Sequence, residues 1–423
     1  MMTQAFYTGI SGLKTYSNGI DVVSDNLANI STPGFRAYNA EYAPLFEKTL
    51  ASASSNLLQS NDVGVGVQMQ ATTMSMAQGS LTLSNRSTDL AIMGDGWFGI
   101  QREGKPLYTR AGDFVFDAND DLVTNDGYHV LGTMGGNISA DNVLTSVLNE
   151  VKLGDVNAQQ KLRFPKTLTY PPEPTTNVKF KANLGVGKEG FEIITAGANV
   201  IDPQSNRNEL RLEFTKSALQ TPPGTQWDVI ATIKSADGLT TYDTQSGKVS
   251  FNESGALTSN TLTGINNNGA PITIDLGNGF DGVVSIDIPV VPGSSIADGT
   301  IGGDLRGYSI NKNGEVIATF TNGRQSSVAR IAVYHFQNDQ ALERITGTRF
   351  AKSENSGDAI FFKDKTGQNI IGTEITNFKL ESSNVEMSSG LTELIILQRA
   401  YDANSKSVTT ADQMIQKALQ MDA

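Results

Sequence analysis

The sequence contains no cysteine. Disulfides, iron–sulfur clusters and thiol nucleophiles are therefore excluded. It has two histidines, His129 and His335, which leaves little material for imidazole-based acid–base or metal chemistry. No stretch approaches the roughly 20 apolar residues that a membrane-spanning helix needs. The first twenty residues have neither a basic flank nor a continuous apolar core, so no cleavable secretion signal is expected. Positive charge is also short: 32 Lys and Arg stand against 44 Asp and Glu, a net charge of -12. Such a chain repels phosphate backbones and anionic lipid, which argues against nucleic acid or membrane as a partner.

What is present is length and turn-forming residues. A chain of 423 residues exceeds one ordinary domain and implies two or three. It holds 42 glycines, a turn-rich composition that favours many short strands. With 38% hydrophobic residues, 18 Phe and 11 Tyr, the cores must be modest and divided among domains.

The two ends carry a different pattern. Phe6, Leu13, Ile20 and Leu27 recur every seven residues, and Gly9, Tyr16, Val23 and Ile30 follow each by three. These are the a and d positions of a heptad, and they predict an amphipathic helix over 4–30. Pro33 and Gly34 then end it. The last forty residues repeat the design. Met387, Leu394, Tyr401, Val408 and Ile415 form one row, and Gly390, Leu397, Asn404, Ala411 and Ala418 a second. The second row is small enough for close approach, and Asn404 at a core position can fix register. The same stripes would suit core helices of a globular domain. A long, narrowly amphipathic helix at each terminus, however, cannot bury its stripe alone, so the ends are expected to pair with each other and with other copies.

Between them, two-residue alternation predicts half-buried antiparallel strands. It appears at Val178, Phe180, Ala182 and Leu184; at Leu210, Leu212 and Phe214; and at Trp227, Val229, Ala231 and Ile233. It recurs at Ile272, Ile274 and Leu276; at Val284, Ile286 and Ile288; and at Ile331, Val333 and His335. Asn313-Gly314 and Asn322-Gly323 mark turns, and residues 50–62 read as an irregular connector. Breaks at the prolines 165–174 and at 289–303 suggest an inserted segment. The expected fold is mainly β: a terminal α-helical coiled-coil pair plus two nested antiparallel β domains, the outer one inserted into the inner one. The expected boundaries are 1–70 and 364–423 for the helical part (with a connector at 31–70), 71–145 and 300–363 for the inner domain, and 146–299 for the outer.

Motifs for chemistry are lacking. Asp117, Asn119 and Asp121 match the first, third and fifth positions of a calcium loop. Leu122 stands where that loop needs Gly, however, and Tyr128 where it needs Glu. A polar hairpin turn fits better. His335 falls on the buried phase of a strand and reads as a satisfied core histidine. No nucleophile or zinc motif occurs, so no catalytic, cofactor or metal residues are assigned.

At 26–36, NLANISTPGFR, the chain resembles the axial proteins of the bacterial flagellum: the rod, hook and hook-associated proteins. The matching positions are Asn26, Leu27, Ala28, Asn29, Thr32, Gly34 and Phe35. Segments 90–101 and 108–132 are similar to the first folded domain of that family. Residues 383–419 are similar to its C-terminal helix, including Gln398, Arg399, Ala400, Tyr401 and Asn404. Length, the inserted segment and the stretch 307–336 resemble the hook-type members; a distal rod protein is the nearest alternative, and a secreted β-rich adhesin a more remote one. The resemblance implies a non-enzymatic subunit without cofactors. It would polymerise with itself into a curved extracellular tube that acts as a universal joint and transmits motor torque. Its partners would be rod and hook–filament junction proteins, a hook cap and the flagellar export apparatus, which would export it without a cleaved signal. The heptad residues Phe6, Leu13, Tyr16, Ile20, Val23, Leu27, Ile30, Met387, Leu394, Leu397, Tyr401, Val408, Ala411, Ile415 and Ala418 would form the polymer interface.

Overall fold

The computed structural model describes residues 2–45, 48–49, 62–63, 65–186, 194–220 and 222–421. Residues 50–61 of the expected connector lie outside these. No helix among the described residues is long and apolar enough to cross a membrane.

Two long helices stand at the ends: α1, Met2–Ala28, and α2, Met387–Met421. Helix α1 stops two residues before the expected end. The Asn29 N–H still bonds the Asp25 carbonyl at 3.1 Å, and Ile30 already lies in a turn. Gly34, at φ +67°, then reverses the chain in the left-handed region that glycine tolerates. Helix α2 begins at Met387, and the Gly390 N–H is already bonded to the Glu386 carbonyl at 2.9 Å. Gly390 therefore sits inside the first turns.

Within the stretch 31–70, expected as connector, a ribbon forms. Tyr38–Pro44 pairs antiparallel with Val67–Met74 and lies against α1. Thr15 donates its hydroxyl to the Val67 carbonyl at 2.9 Å.

The inner lobe is built on a thirteen-stranded sheet whose main path runs through 303–310, 315–320, 325–331, 129–134, 97–102 and 105–109. Its core gathers Trp97, Phe98, Phe114, Tyr108, Tyr334 and Phe350, all buried. The Trp97 indole N–H reaches the Asp339 carboxylate at 2.9 Å, so the buried polar end is satisfied. The segment 331–336, which holds the end of one strand and the short strand Val333–Tyr334, is buried at every position rather than at every second one, with Phe361, Ile371 and Ile375 in the same core. The His335 Nε2 lies 2.7 Å from the Ile371 carbonyl.

A second, separate core lies in the outer lobe, around Trp227. A five-stranded antiparallel meander covers 194–260 in sequence order. Its alternation matches the sequence: Leu210, Leu212 and Phe214, and Trp227, Val229, Ala231 and Ile233, are all fully buried. The facing sheet departs from the all-antiparallel expectation. Asn177–Asn183 pairs in parallel with Ala270–Asp275 and with Asp281–Val284, and antiparallel with Val291–Ala297. The expected break at 289–303 thus contains a strand. The alternation expected at Val284, Ile286 and Ile288 is out of phase: Val283 and Ser285 are buried and Ile288 is exposed. Gly282, at φ +140°, lies within this short strand and resets the phase there.

Leu153, Leu162, Phe164, Leu168 and Tyr170 belong to the inner core. The crossing between lobes therefore falls not at 146 but where Glu173 bridges Thr300. There Arg324 holds both strands, with Nη2 at 3.2 Å from the Glu173 carboxylate and 2.7 Å from the Thr300 hydroxyl.

Candidate assembly interface

Helices α1 and α2 run antiparallel, with Gly9 opposite Val408, Gly12 opposite Asn404, Gly19 opposite Leu397 and Leu27 opposite Gly390. A Cβ added at Gly9 would stand 2.6 Å from Val408 Cγ2, and one at Gly390 would stand 2.9 Å from Leu27 Cδ2. At Gly12 it would overlap the Asn404 carboxamide. Glycines therefore set the spacing of the seam by letting the backbones approach. The Asn404 side-chain N–H is itself tied back to the Ala400 carbonyl at 2.7 Å.

This seam differs from the one expected from hydropathy. The residues of α1 most enclosed within the subunit are Gly9, Gly12, Thr15, Gly19, Val23 and Asn26. Of the residues expected in the interface, Val23, Leu397 and Ala411 are buried within the subunit. Phe6, Leu13, Tyr16, Ile20, Leu27 and Ile30, with Leu394, Val408 and Ile415, are only half-buried along its flanks. Met387, Tyr401 and Ala418 are exposed. The heptad rows include Gly9 and Gly390 but miss Gly12 and Gly19, which carry no apolar side chain.

The pairing leaves apolar surface uncovered. Ile395 is 58% exposed, Ile396 61% and Leu419 68%, and Leu391, Met414, Tyr7 and Ile10 are also exposed. Large apolar side chains left exposed along two adjoining helices are of the kind that a partner covers.

The motif at 26–36 anchors this pair to the lobes. The Asn26 carboxamide donates to the Tyr38 carbonyl at 2.7 Å and accepts the Tyr38 N–H at 2.9 Å, locking the chain reversal. Asn29 bonds Asp25 and accepts the Thr32 hydroxyl at 3.1 Å, while Ala28 closes the helix on its exposed side. The Gly34 N–H donates to the Glu381 carbonyl at 2.7 Å, and a side chain at Gly34 would run into the Ala111 backbone. Phe35 is buried beneath the Arg344 guanidinium, 5.1 Å from the ring centroid. Arg344 also pairs with Asp25 at 2.8 Å.

At the centre lies a buried charge cluster. Glu381 pairs with Arg36 at 3.1 Å and with Arg110 at 2.9 Å, all three side chains no more than 3% exposed. Glu381 also accepts the Gly79 N–H at 3.0 Å. Arg110 donates further to the carbonyls of Gly96 and Gly94 at 2.6 and 2.8 Å, and Arg36 to Met76 and Ala77. Burial pushes the Arg36 guanidinium down to about 10, against the pull of Glu381. Asn384 completes the joint, accepting the Ala37 N–H at 2.7 Å and donating to Ser75 and Ala77 at 3.1 and 2.8 Å. No single segment of sequence displays this node, because its members come from the first turn, the inner lobe and the approach to α2. In α2 the family-like Gln398 and Arg399 are exposed and Ala400 is half-buried.

Together these features define a structural subunit: a helical pair, apolar side chains exposed along it, joined to an inner β lobe that carries an outer one. Three family descriptions match the chain: "Flagella basal body rod protein" at residues 6–36, "Flagellar hook protein FlgE/F/G D1 domain" at 91–158, and "Flagellar basal body rod FlgEFG protein C-terminal" at 378–421. Full-length relatives include the flagellar hook protein FlgE of Borreliella burgdorferi, 27% identical over 99% of this chain and 100% of that one. Those of Salmonella typhimurium and Brucella suis are 26% and 28% identical, over 97% and 96% of this chain and 98% and 96% of theirs. The crystal structure of Helicobacter pylori flagellar hook protein FlgE2 superposes with a TM-score of 0.52 at 17% identity, covering 71% of this chain and 100% of that one, a likeness of fold. The chain belongs to the flagellar rod and hook protein family, among the flagellar hook proteins, which are structural and not enzymatic.

Proposed function

We propose that copies of this chain stack into the curved, flexible tube of the flagellar hook and transmit motor torque as a universal joint. The observation that supports this most is the exposed apolar face of the helix pair, led by Ile395 and Ile396. Neighbouring copies would cover it, lining the axial channel with their helices. The inner lobe would form the wall and the outer lobe the outside. Contacts at the outside must be remade at each turn, which suits polar, hydrated surfaces that exchange partners at little net free energy.

The rod below, the junction proteins above, a cap during growth and the export apparatus would be its partners, and export would proceed without a cleaved signal. Electron microscopy of the purified, polymerised protein tests this reading. Curved tubes are expected; straight, rigid tubes would assign the chain to the distal rod instead.

A further inference from the structure

We propose that Asp117, Asp121 and His129 form a binding site for a divalent transition-metal ion on the inner lobe. One carboxylate oxygen from each aspartate and one imidazole nitrogen lie within 4.8 Å of one another. The sheet brings them together. Asp117 follows the strand Phe114–Phe116, Asp121 precedes its partner Leu122–Thr124, and His129 opens the next strand, opposite Val123.

A second observation points to a ligand. Asp121 is fully buried, yet its Oδ1 has no hydrogen-bond partner. The His129 Nδ1 is also buried and without a hydrogen bond, and stands 3.6 Å from Asp121 Oδ2. Buried polar atoms left without partners are costly; a cation between Asp121 and His129 would give the imidazole nitrogen a partner and, with the carboxylate bound through both oxygens, Asp121 Oδ1 as well. The separation suits one ion, since two ligands at about 2.1 Å in a tetrahedral arrangement lie about 3.4 Å apart. Asp117 Oδ1 accepts the N–H groups of Asn119 and Asp121 at 2.8 and 2.9 Å, which fix its carboxylate beside the other two.

The donor set selects the ion class. Two carboxylates and an imidazole suit zinc, manganese, cobalt or nickel. Calcium needs six to eight oxygens, and this loop offers Tyr128 where the bidentate glutamate would be required and Leu122 where the turn needs glycine. Lys161 is the competitor: its Nζ pairs with Asp121 Oδ2 at 2.7 Å, but its side chain is mostly exposed and free to withdraw. A bound ion would cross-link three successive strand ends.

Calorimetric titration of the full-length monomer with zinc chloride alone tests the site. One zinc per chain is expected. His129→Ala, at a partly exposed position, should weaken binding at least about tenfold. Lys161→Met should strengthen it several-fold by removing the competing cation, a gain that a merely structural role for the cluster would not produce. Absence of stoichiometric binding, affinity unchanged by His129→Ala, or weaker binding by Lys161→Met would each overturn the proposal. Calcium binding as tightly as zinc would overturn the assigned ion class.

Discussion

Arg110 and Glu381 stand 271 positions apart and meet in a 2.9 Å ion pair with both side chains sealed from solvent. This contact joins the inner lobe to the chain segment that leads into α2. Since Glu381 also faces Arg36, one carboxylate serves two buried guanidinium groups. Removing it leaves two buried cations without a counter-charge. Glu381→Ala is therefore expected to destabilise the inner lobe by about 3–5 kcal/mol, read from urea unfolding of the monomer. A loss below 1 kcal/mol would mean that the arginine–carbonyl bonds alone hold the joint.

The glycine seam gives a second prediction. Gly9→Leu or Gly12→Val places side-chain atoms where Val408 and Asn404 already sit. The helices should separate while both lobes keep their unfolding transitions. Limited proteolysis is the check: the termini should be cut faster than in the parent chain, with a fragment of the two lobes left intact.

The narrow crossing between lobes gives a third. Thr176 and Asp298 are bonded to each other, backbone N–H to carboxylate at 2.8 Å and hydroxyl to carboxylate at 2.6 Å. Excising 176–297 and closing the gap with a short glycine linker should leave the inner core folded, because its members lie outside this range. The shortened chain is expected to polymerise into tubes of altered stiffness or curvature, visible by electron microscopy. The wider cut at 146 would remove Leu153, Leu162, Phe164 and Leu168 and collapse the core.

The pH dependence follows from His335. Burial holds its imidazole below the ordinary value of 6.5, although the Ile371 carbonyl and Asp339 oppose this. The unfolded chain takes up a proton first, so stability contributed by the neutral ring is present above about pH 6.5 and lost as pH falls below it. Comparing unfolding midpoints at pH 8 and pH 5, the parent chain should lose more stability than His335→Asn. An equal loss in both would remove His335 as the cause.

Much of the fold is legible in the sequence where side chains alternate cleanly, as at Leu210–Phe214 and Trp227–Ile233. It is illegible where the core is supplied by isolated residues in short strands. Leu153, Leu162, Phe164 and Leu168 show no periodicity, so the lobe boundary was displaced. Gly282 shifted the phase of Val284–Ile288 through a backbone angle that hydropathy does not encode. The helices themselves are plain, but the large residues Phe6, Leu13 and Ile20 draw the stripe away from Gly12 and Gly19, which face Asn404 and Leu397. The Arg36–Glu381–Arg110 cluster left no local trace, since pairing over such separations is set only by the fold.

The central claim is that the uncovered face of the helix pair is the polymer contact. The double variant Ile395→Asp, Ile396→Asp tests it most directly, because both side chains point away from the rest of their own subunit. Circular dichroism should show a normally folded monomer, and sedimentation with electron microscopy should show no tubes. Tubes formed at the same critical concentration as the parent chain would contradict the account.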